Sequence, residues 1–294
     1  MHNIRTDMAY EAHRTASAKG DVKGVKYDTY AEKGICASKI EILNRDGEKA
    51  TGKPCGTYIT VKVEKSLTPQ HLRIYSEFLS ERIKQLIPQN TENVLIAGLG
   101  NRFITADSIG PKAISHIIVT RHIKSICPTI YNDLSLSEVA ALAPGVLAQT
   151  GIESGAIIKS IVDDIKPSCL IVIDALATQS FSHLSSMVQL SNHGIHPGSG
   201  VHNARYELTK ESMGIPVISI GVPTVIDASL LAADIAGRLG ADSSSVIDDD
   251  EFECFITLKE SDIIADNMAK LIAYSVNLAL HNTLSFEEMV SLCT

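Results

Sequence analysis

Short runs of apolar residues recur along the middle of the chain, separated by segments with helical spacing. Three of the runs, residues 94–98, 169–174 and 216–221, are continuous stretches rich in β-branched side chains. Between them, apolar residues take helical spacing over 153–165 and in a segment that runs on through Ile118. Continuous apolar strands that alternate with helices are typical of strands buried on both faces. The pattern therefore predicts an α/β fold with a mostly parallel sheet flanked by helices.

The N-terminal part of the chain has a different pattern. Residues 1–34 are polar with little periodicity, and they predict a weakly anchored leader followed by a short helix. Residues 35–43 and 56–63 predict two strands, the second with apolar and polar positions in alternation. The turn-forming Asn44-Arg45-Asp46-Gly47 follows the first strand. We expect a β-hairpin insertion over residues 35–64.

Two further helices and one loop complete the predicted order of elements. Apolar residues at helical spacing predict helices over 68–86 and, near the end of the chain, over about 262–281. Residues 240–253 contain three consecutive serines and the acidic run Asp248-Asp249-Asp250-Glu251, and predict a solvated loop. There is no internal repeat. Residues 8–294 are expected to form one α/β domain.

Charge and composition exclude several classes of function. The chain of 294 residues carries 26 Lys and Arg against 34 Asp and Glu, a formal net charge of −8. Nucleic acids and anionic membranes select clustered positive charge, so neither is expected as a direct ligand. No apolar stretch reaches the roughly 20 residues of a membrane span. The six cysteines show no C-x-x-C motif, which predicts reduced, mostly buried thiols in an intracellular protein.

The glycine-rich turn Gly98-Leu99-Gly100-Asn101 follows the first central strand, as a dinucleotide-binding turn does. However, Phe103 stands where the third glycine of that motif is required, and no acidic residue follows at the spacing for ribose binding. Gly52-Lys53 is followed by Pro54, so there is no Walker loop. The chain also lacks H-E-x-x-H and G-x-S-x-G motifs. These common motifs are therefore excluded, and no cofactor is expected.

Two carboxylates are placed where parallel sheets form their ligand sites. Asp107 lies between the glycine turn and the next helix, and Asp174 ends the apolar run of residues 170–173. Both are predicted at the carboxyl edge of the sheet, where they can converge on one crevice. A close pair of carboxyl groups shares a proton, so that one acts as a base and the other as an acid. The pattern equally allows Asp107 as a helix N-cap and Asp174 as an acceptor of loop amides.

Residues 191–203 form a second cluster that contains His193, His196 and His202. Three imidazoles at this spacing can bind a metal ion. The glycines and Pro197 of the same segment favour a shaped loop with exposed imidazoles, and no metal site is assigned. The rigid turn that contains Pro223 is interpreted in the same way, as part of a crevice wall.

These carboxylates and loops lie within motifs that closely resemble those of the spore germination protease of endospore-forming bacteria. The resemblance runs from residue 4 to about residue 235 and loosens in the C-terminal fifth of the chain. The motifs that carry it are Arg5-Thr6-Asp7-Met8-Ala9, Gly98-Leu99-Gly100-Asn101, Thr105-Ala106-Asp107-Ser108-Ile109-Gly110-Pro111-Lys112, Val119-Thr120-Arg121-His122, Ala143-Pro144-Gly145-Val146, Thr150-Gly151-Ile152-Glu153, Ile173-Asp174-Ala175-Leu176-Ala177, Gly194-Ile195-His196-Pro197-Gly198-Ser199-Gly200, Gly214-Ile215-Pro216-Val217 and Gly221-Val222-Pro223-Thr224-Val225-Ile226-Asp227-Ala228.

The resemblance implies an endopeptidase that degrades small acid-soluble spore proteins, the DNA-coating proteins of the dormant spore, during germination. It implies an atypical aspartic-type protease, whose proposed catalytic acids fall on Asp107 and Asp174. It also implies a homotetramer in the cytoplasm of the forespore and in the spore core. The expected fold resembles that of the hydrogenase maturation proteases.

The resemblance further implies a zymogen that removes its own leader after an Arg-Thr-Asp motif. Carried onto this sequence, the cut lies between Asp7 and Met8, and residues 1–7 form the leader. This leader is shorter than expected of the family, and Met8 replaces the usual Leu, a swap of similar volume. His193 and His202 add imidazoles that the common pattern lacks and are assigned no role. The residues expected to shape the crevice are Gly98, Gly100, Asn101, His196, Gly198 and Pro223.

Two other functions are compatible with the sequence. A metal-dependent maturation endopeptidase shares the G-x-G-N turn followed by Asp at a strand-to-helix connection. A non-catalytic binding module can use the same α/β scaffold, since a fold by itself does not define a function.

Overall fold

The computed structural model describes residues 6–196, 206–240 and 254–293, and one large mixed sheet organises them. The strands are β1 (Val25–Glu32), β2 (Ile35–Ile42), β3 (Gly56–Lys62), β4 (Asn93–Gly98), β5 (Glu138–Leu142), β6 (Cys169–Thr178), β7 (Met187–Ser191), β8 (Gly194–Ile195), β9 (Leu208–Thr209), β10 (Val217–Asp227) and β11 (Phe255–Ile256). Within the described residues, the sheet order is β1-β2-β3-β7-β10-β6-β4-β5, β11 pairs with β10, and β8 and β9 form a separate ribbon.

Helices cover the two faces of the sheet and connect its strands. The helices are α1 (Ala9–Ser17), α2 (Arg45–Thr51), α3 (Pro69–Leu86), α4 (Ile109–Ile114), α5 (Arg121–Ile126), α6 (Pro128–Asp133), α7 (Leu147–Thr150), α8 (Ser154–Ile165), α9 (Lys210–Met213), α10 (Ala228–Arg238), α11 (Ser261–Leu280) and α12 (Phe286–Cys293).

The central part of the sheet is parallel. Strands β10, β6, β4 and β5 pair in parallel, and β1, β2, β3 and β7 extend the sheet beyond β10 through antiparallel pairs. The prediction of an α/β fold with a parallel central sheet between helices is confirmed. The predicted hairpin strands pair with each other, and β3 joins them to the central strands through β7.

The central strands are buried on both faces, as their continuous apolar sequences predict. On β6, Ile171 and Ile173 belong to the larger core cluster, which includes side chains of α3 and α11. Leu170 and Val172 alternate with them and belong to a second cluster that includes Ile158 of α8. A strand enclosed in this way has no polar face, and its sequence shows no alternation.

The prediction of a tight turn at residues 44–47 is wrong. Asn44 instead caps the start of α2, because its side-chain oxygen accepts the backbone N–H groups of Asp46 and Gly47. The helix ends at Gly52, which has a positive φ of 66°. The two hairpin strands are therefore joined by a short helix. Asn favours turns and N-caps alike, so the segment is ambiguous at the sequence level.

Strand β1 lies within the segment that showed little periodicity, and the sequence did not predict it. It pairs with β2 along its whole length, from Val25 opposite Ile42 to Glu32 opposite Ile35. Most of its side chains are exposed, so burial imposes no alternation on its sequence. The short helix that was predicted after the leader is present as α1.

The helix predicted to run through Ile118 ends earlier, at Ile114. Beyond that point, the side chain of Asn277 on α11 forms hydrogen bonds with the backbone. Its Oδ1 accepts the N–H of Ile118 at 3.0 Å, and its Nδ2 donates to the carbonyl of His116 at 2.8 Å. A buried side chain from a distant part of the chain thus replaces helical hydrogen bonds. The C-terminal helix α12 is a further element that the sequence did not predict.

Helix α11 matches the predicted final helix and is the one described helix long and apolar enough to span a membrane by length and composition. Most of it is buried, and it packs against α3 and α4 as a core helix. The predicted acidic loop over 240–253 lies outside the described residues except for Gly240.

The six cysteines are unpaired, but the prediction that most are buried is wrong. Cys169 alone is buried, while Cys36, Cys127 and Cys254 are exposed. The Cys36 side chain is exposed near the start of β2, whereas Ile40 and Ile42, further along the same face, are buried.

Replacing a buried isoleucine of α11 should strongly destabilise the fold. We expect Ile272→Ala, at a side chain that is 1% exposed, to lower the free energy of unfolding by about 2–5 kcal/mol through lost contacts and a cavity. Ile263→Ala, on the same helix at a side chain that is 59% exposed, should cost about 0.5 kcal/mol or less. Urea denaturation of both variants measures the difference, and equal losses would contradict the inward placement of Ile272.

Candidate active site

Asp174 lies inside β6, four residues before the strand ends at Thr178, and not at the strand end that its sequence position suggested. The neighbouring β4 is shorter, and its last pair joins Gly98 to Ile173. Asp174 is therefore the first residue of β6 beyond the carboxyl end of β4. Its side chain is buried, and its Oδ1 accepts the backbone N–H of Ala175 at 2.9 Å.

Asp107 closes a short 3₁₀ turn over Thr105–Asp107, in the connection from β4 to α4. Its Oδ2 accepts the backbone N–H of Asn101 at 2.8 Å. The residue that precedes α4 is Ser108, so Asp107 is not the N-cap of that helix. Its carboxylate instead holds the glycine turn after β4. Gly100 makes this approach possible, because it has a φ of +109° and a Cβ there would lie 2.1 Å from the carbonyl oxygen of Asp107.

Two glycines allow the connection from β4 to α4 to pack closely on the sheet. A Cβ at Gly98 would lie 2.3 Å from the carbonyl oxygen of Gly110, in the first turn of α4. A Cβ at Gly110 would lie 2.2 Å from the carbonyl oxygen of Leu99 and 2.7 Å from that of Ile173. The first turn of α4 thus packs directly on the backbone of β4 and β6. This packing places Asp107 beside the strand that carries Asp174.

Both carboxylates line one cavity of about 380 Å³. A second cavity of about 600 Å³ lies on the other side of Asp174, towards β3 and β7. Asp7, Asp174, Ala175 and Leu176 line both cavities, so the two spaces adjoin at the end of the leader and at β6. The structure therefore brings Asp107 and Asp174 to the same space, as expected from the sheet edge.

The end of the predicted leader lies in this crevice. The backbone N–H of Asp7 donates to the carbonyl of Ala177 at 3.1 Å, and the Asp7 carboxylate accepts the Ala177 N–H at 2.8 Å. The Asp7 carbonyl accepts a hydrogen bond from Gln189 Nε2 at 3.2 Å. The Met8 side chain is fully buried against Leu176 and Met187. Residues 6–8 are thus fastened to the ends of β6 and β7.

Lys53 is a residue of this crevice that the sequence did not identify. It is half-buried, lines the larger cavity and donates from Nζ to the carbonyl of Thr6 at 2.6 Å. Burial lowers the pKa of Lys53, and the carboxylates of Asp7 and Glu11 partly oppose that shift. The sequence analysis named Lys53 only to exclude a Walker loop. No residue near it in the sequence indicates a contact with Thr6.

Glu11 of α1 is a second buried group that anchors the N-terminal segment. Its carboxylate accepts hydrogen bonds from the hydroxyls of Thr6 and Thr178, the ring of His183 and the backbone N–H of Gln179. Burial alone raises the pKa of Glu11, but these hydrogen bonds outweigh burial and lower the pKa below its ordinary value. Glu11 is therefore a charged group that ties the leader to the end of β6.

The other predicted site residues lie around the crevice. His193 and His196 line the larger cavity with their rings stacked at 5.8 Å, and His196 Nδ1 lies 3.1 Å from a carboxylate oxygen of Glu207. Burial lowers the pKa of His193, and the neighbouring His196 lowers it further. Pro223 lies at an irregular register of β10 with β6, next to Thr224, which lines the smaller cavity. Gly198 and His202 lie outside the described residues.

The described residues contain no group of three or more His, Cys, Asp or Glu side chains arranged to hold a metal ion. Asp107 and Asp174 are two of the carboxylates that line the smaller cavity. No residue of the described part of the chain is assigned to a cofactor.

The chain is similar to named proteins over most of its length. A sequence profile described as germination protease matches residues 3–239. The germination protease of Caldanaerobacter subterraneus subsp. tengcongensis is 37% identical over 97% of this chain and 97% of its own length. That of Clostridium acetobutylicum is 36% identical over 98% of each chain, and that of Priestia megaterium is 37% identical over 79% of this chain and 66% of its own.

A search of solved structures gives a weaker likeness. The NiFe hydrogenase maturation protease HycI from Thermococcus kodakarensis KOD1 aligns with 66% of this chain and 98% of its own, at 15% identity and a TM-score of 0.36.

Gly100→Ala should destabilise the fold more than the same change at a glycine in open space. We expect a loss of about 2–5 kcal/mol, because a positive φ is unfavourable for alanine and the new Cβ overlaps Asp107. Gly151→Ala is the matched control, since Gly151 has a φ of +71° but no atom within 4 Å of the added Cβ. It should cost about 1 kcal/mol. Denaturant unfolding compares the two, and similar losses would refute the close contact.

Glu11→Gln should destabilise the fold in a pH-dependent way. A carboxyl group with a lower pKa in the folded than in the unfolded chain stabilises the fold above its ordinary pKa of 4.5, and this stabilisation is lost as the pH falls through the folded value. We therefore expect a loss of about 2 kcal/mol at pH 7 that shrinks below pH 4.5. Urea denaturation from pH 7 to pH 3 measures it. Glu92→Gln, at an exposed carboxylate just before β4, is the matched control and should cost about 0.5 kcal/mol or less at pH 7.

Proposed function

The chain belongs to the germination protease family, and we propose that its substrates are the small acid-soluble proteins that coat DNA in dormant spores. The family is a family of peptidases, which act on protein substrates. The proposal of this particular substrate is supported by the motif resemblance and by relatives named germination protease that span nearly the whole chain. With a net charge of −8, the enzyme would take substrate that has been released from DNA and would not compete for phosphates.

The proposed mechanism is attack of water on a peptide carbonyl, assisted by Asp107 and Asp174. One carboxylate takes a proton from the water as its oxygen bonds to the carbonyl carbon. The other, in its protonated form, gives a proton to the leaving amide nitrogen as the C–N bond breaks. The observation that carries this proposal is the cavity of about 380 Å³ that both residues line. We propose the two roles for the pair and assign neither of them to one carboxylate.

We also propose that the chain is made as a zymogen that cuts itself between Asp7 and Met8. This proposal is supported by the position of Asp7, which lines both cavities together with Asp174. Residues 6 and 7 occupy space that a substrate needs, held by Ala177, Gln189 and Lys53. The last two residues before the proposed cut suffice to obstruct the crevice.

The remaining features are proposed on the resemblance and the composition. The protein assembles as a homotetramer and works in the forespore and spore core. It binds neither nucleic acid nor membranes directly, because it has a negative net charge and its long apolar helix is buried within the fold.

Neutralising either proposed acid should abolish both self-cleavage and substrate cleavage. The full chain, Asp107→Asn and Asp174→Asn are incubated with a purified small acid-soluble spore protein, and intact-mass spectrometry follows both proteins. We expect each variant to be at least about 10²-fold slower than wild type, since each loses one proton-transfer group. Asp163→Asn is the control, because the Asp163 side chain is 62% exposed and lies on α8 away from the cavity.

Other outcomes separate the competing functions. Cleavage that survives both active-site substitutions would refute the acid pair. Loss of activity on chelation, with stoichiometric nickel or zinc in the pure protein, would favour a metal-dependent maturation endopeptidase. Saturable binding without turnover would favour a non-catalytic binding module.

A further inference from the structure

The segment on either side of the proposed cut is held as a substrate backbone would be held. Its chain is extended at Met8, with φ −83° and ψ 117°, before α1 begins at Ala9. On the amino side, the N–H of Asp7 donates to the carbonyl of Ala177 at 3.1 Å. On the carboxyl side, the N–H of Met8 donates to Thr6 Oγ1 at 3.0 Å. The carbonyl of Asp7, which the proposed reaction attacks, has a different partner.

That partner is Gln189, whose single amide group binds the backbone on both sides of the Asp7–Met8 bond. Its Nε2 donates to the Asp7 carbonyl at 3.2 Å, and its Oε1 accepts the N–H of Ala9 at 2.6 Å. A backbone N–H can only donate, so the Ala9 contact fixes which side of the amide carries oxygen. The NH₂ group must therefore face the carbonyl of Asp7.

Gln189 is placed by the register of the sheet. On β10, Gly221 pairs with Asp174 of β6 on one side and with Gln189 of β7 on the other. Residues paired across adjacent strands have their side chains on the same face of the sheet, so Asp174 and Gln189 lie in one row, about 10 Å apart along it. The residue between them is a glycine, and all three line the larger cavity together with Asp7. The side chain of Leu176 packs over this glycine, since a Cβ at Gly221 would lie 2.4 Å from Leu176 Cδ1. The register therefore places the amide and the carboxylate on the same cavity.

The position of Gln189 is also rigid. The residue is 7% exposed and lies in an inner strand, with Thr60 of β3 opposite on the side away from β10. A donor fixed in this way does not need to reorganise when charge develops on the oxygen that it contacts. Removal of one such donor from an enzyme typically slows the reaction by about 10²–10³-fold.

We propose that Gln189 is the substrate-binding residue that holds the carbonyl of the residue before the cut and stabilises the negative charge that forms on its oxygen. The inference rests on the proposed self-cleavage. As water adds to the carbonyl carbon, the C=O bond becomes a C–O⁻ bond, and the Nε2–H group donates to that oxygen. A substrate protein that replaces the leader in the crevice meets the same donor.

The test is the rate at which the full-length chain loses residues 1–7, followed by intact-mass spectrometry from pH 7 to pH 5. Gln189→Glu keeps an acceptor for Ala9 N–H but cannot donate when ionised, and Gln189→Met is similar in length and cannot donate at any pH. We expect both to be about 10²-fold slower than wild type at pH 7. The cleavage rate of the Glu variant should approach the wild-type rate as the pH falls and its carboxyl group gains a proton. The ratio of the Met variant's cleavage rate to the wild-type rate should be the same at every pH.

Because each variant is compared with wild type at the same pH, the effect of other titratable groups on the cleavage rate cancels. The titratable groups that line the same cavity are present in all three proteins: Asp7, Lys19, Lys49, Lys53, Tyr58, Asp174, His193 and His196. Gln85→Glu, at an exposed position on α3, is the control and should cut at the wild-type rate. Thermal melting of every sample verifies that it is folded, and either variant at position 189 suffices to measure the loss.

Two results would overturn the inference alone. Either folded variant could lose its leader at the wild-type rate, or both could be slowed equally at every pH, as a purely structural role predicts. If the wild-type chain keeps its leader, the proposed self-cleavage itself fails, and this inference fails with it. If Asp174→Asn loses its leader normally, the proposed acid pair fails, while the rates of the Gln189 variants still decide this inference.

Discussion

The site depends on a close approach of backbone to backbone at the carboxyl ends of β4 and β6. The first turn of α4 lies directly on these strands because Gly98 and Gly110 have no side chains to separate them. The N–H of Leu99 closes the contact on the carbonyl of Ile173 at 2.8 Å. Asp107 stands two residues before this helix begins, and Asp174 immediately after Ile173. Any residue that lifted α4 from the sheet would move one carboxylate away from the other.

The crevice forms where the sheet changes from parallel to antiparallel pairing. On the parallel side, β4 and β6 supply the two carboxylates by the usual geometry of α/β sheets, whose ligand sites lie beyond the carboxyl ends of the strands. On the antiparallel side, β7 supplies Gln189, and Lys53 follows α2 in the connection to β3. Strand β10 joins the two sides and contributes Gly221, whose missing side chain makes room for Leu176 of β6. The connection from α2 to β3 forms part of the wall of the larger cavity.

The parts of this arrangement that could be predicted are those with local signals. The apolar runs of β4, β6 and β10 predict buried parallel strands, and their loops place Asp107 and Asp174 at one edge. Strand β1 could not be predicted, because its exposed side chains follow no pattern and its pairing with β2 is formed by backbone groups. Gln189 and Lys53 could not be predicted for a related reason. Their partners are Asp7 and Thr6, and the contact from Gln189 spans 182 residues of sequence.

The residues before and after the proposed cut are held by different kinds of contact. On the carboxyl side, Met8 is buried in an apolar pocket, Ala9 is bound by Gln189, and Glu11 holds Thr178. On the amino side, Thr6 and Asp7 are held by hydrogen bonds alone, several of them to charged groups, which contribute about 1–3 kcal/mol each. While the chain is intact, the buried Met8 and Ala9 also hold residues 6 and 7 in place. Once the bond between Asp7 and Met8 is broken, residues up to Asp7 have only their own hydrogen bonds, and α1 keeps the buried apolar contacts. One hydrolysis would therefore clear the crevice and leave its wall intact.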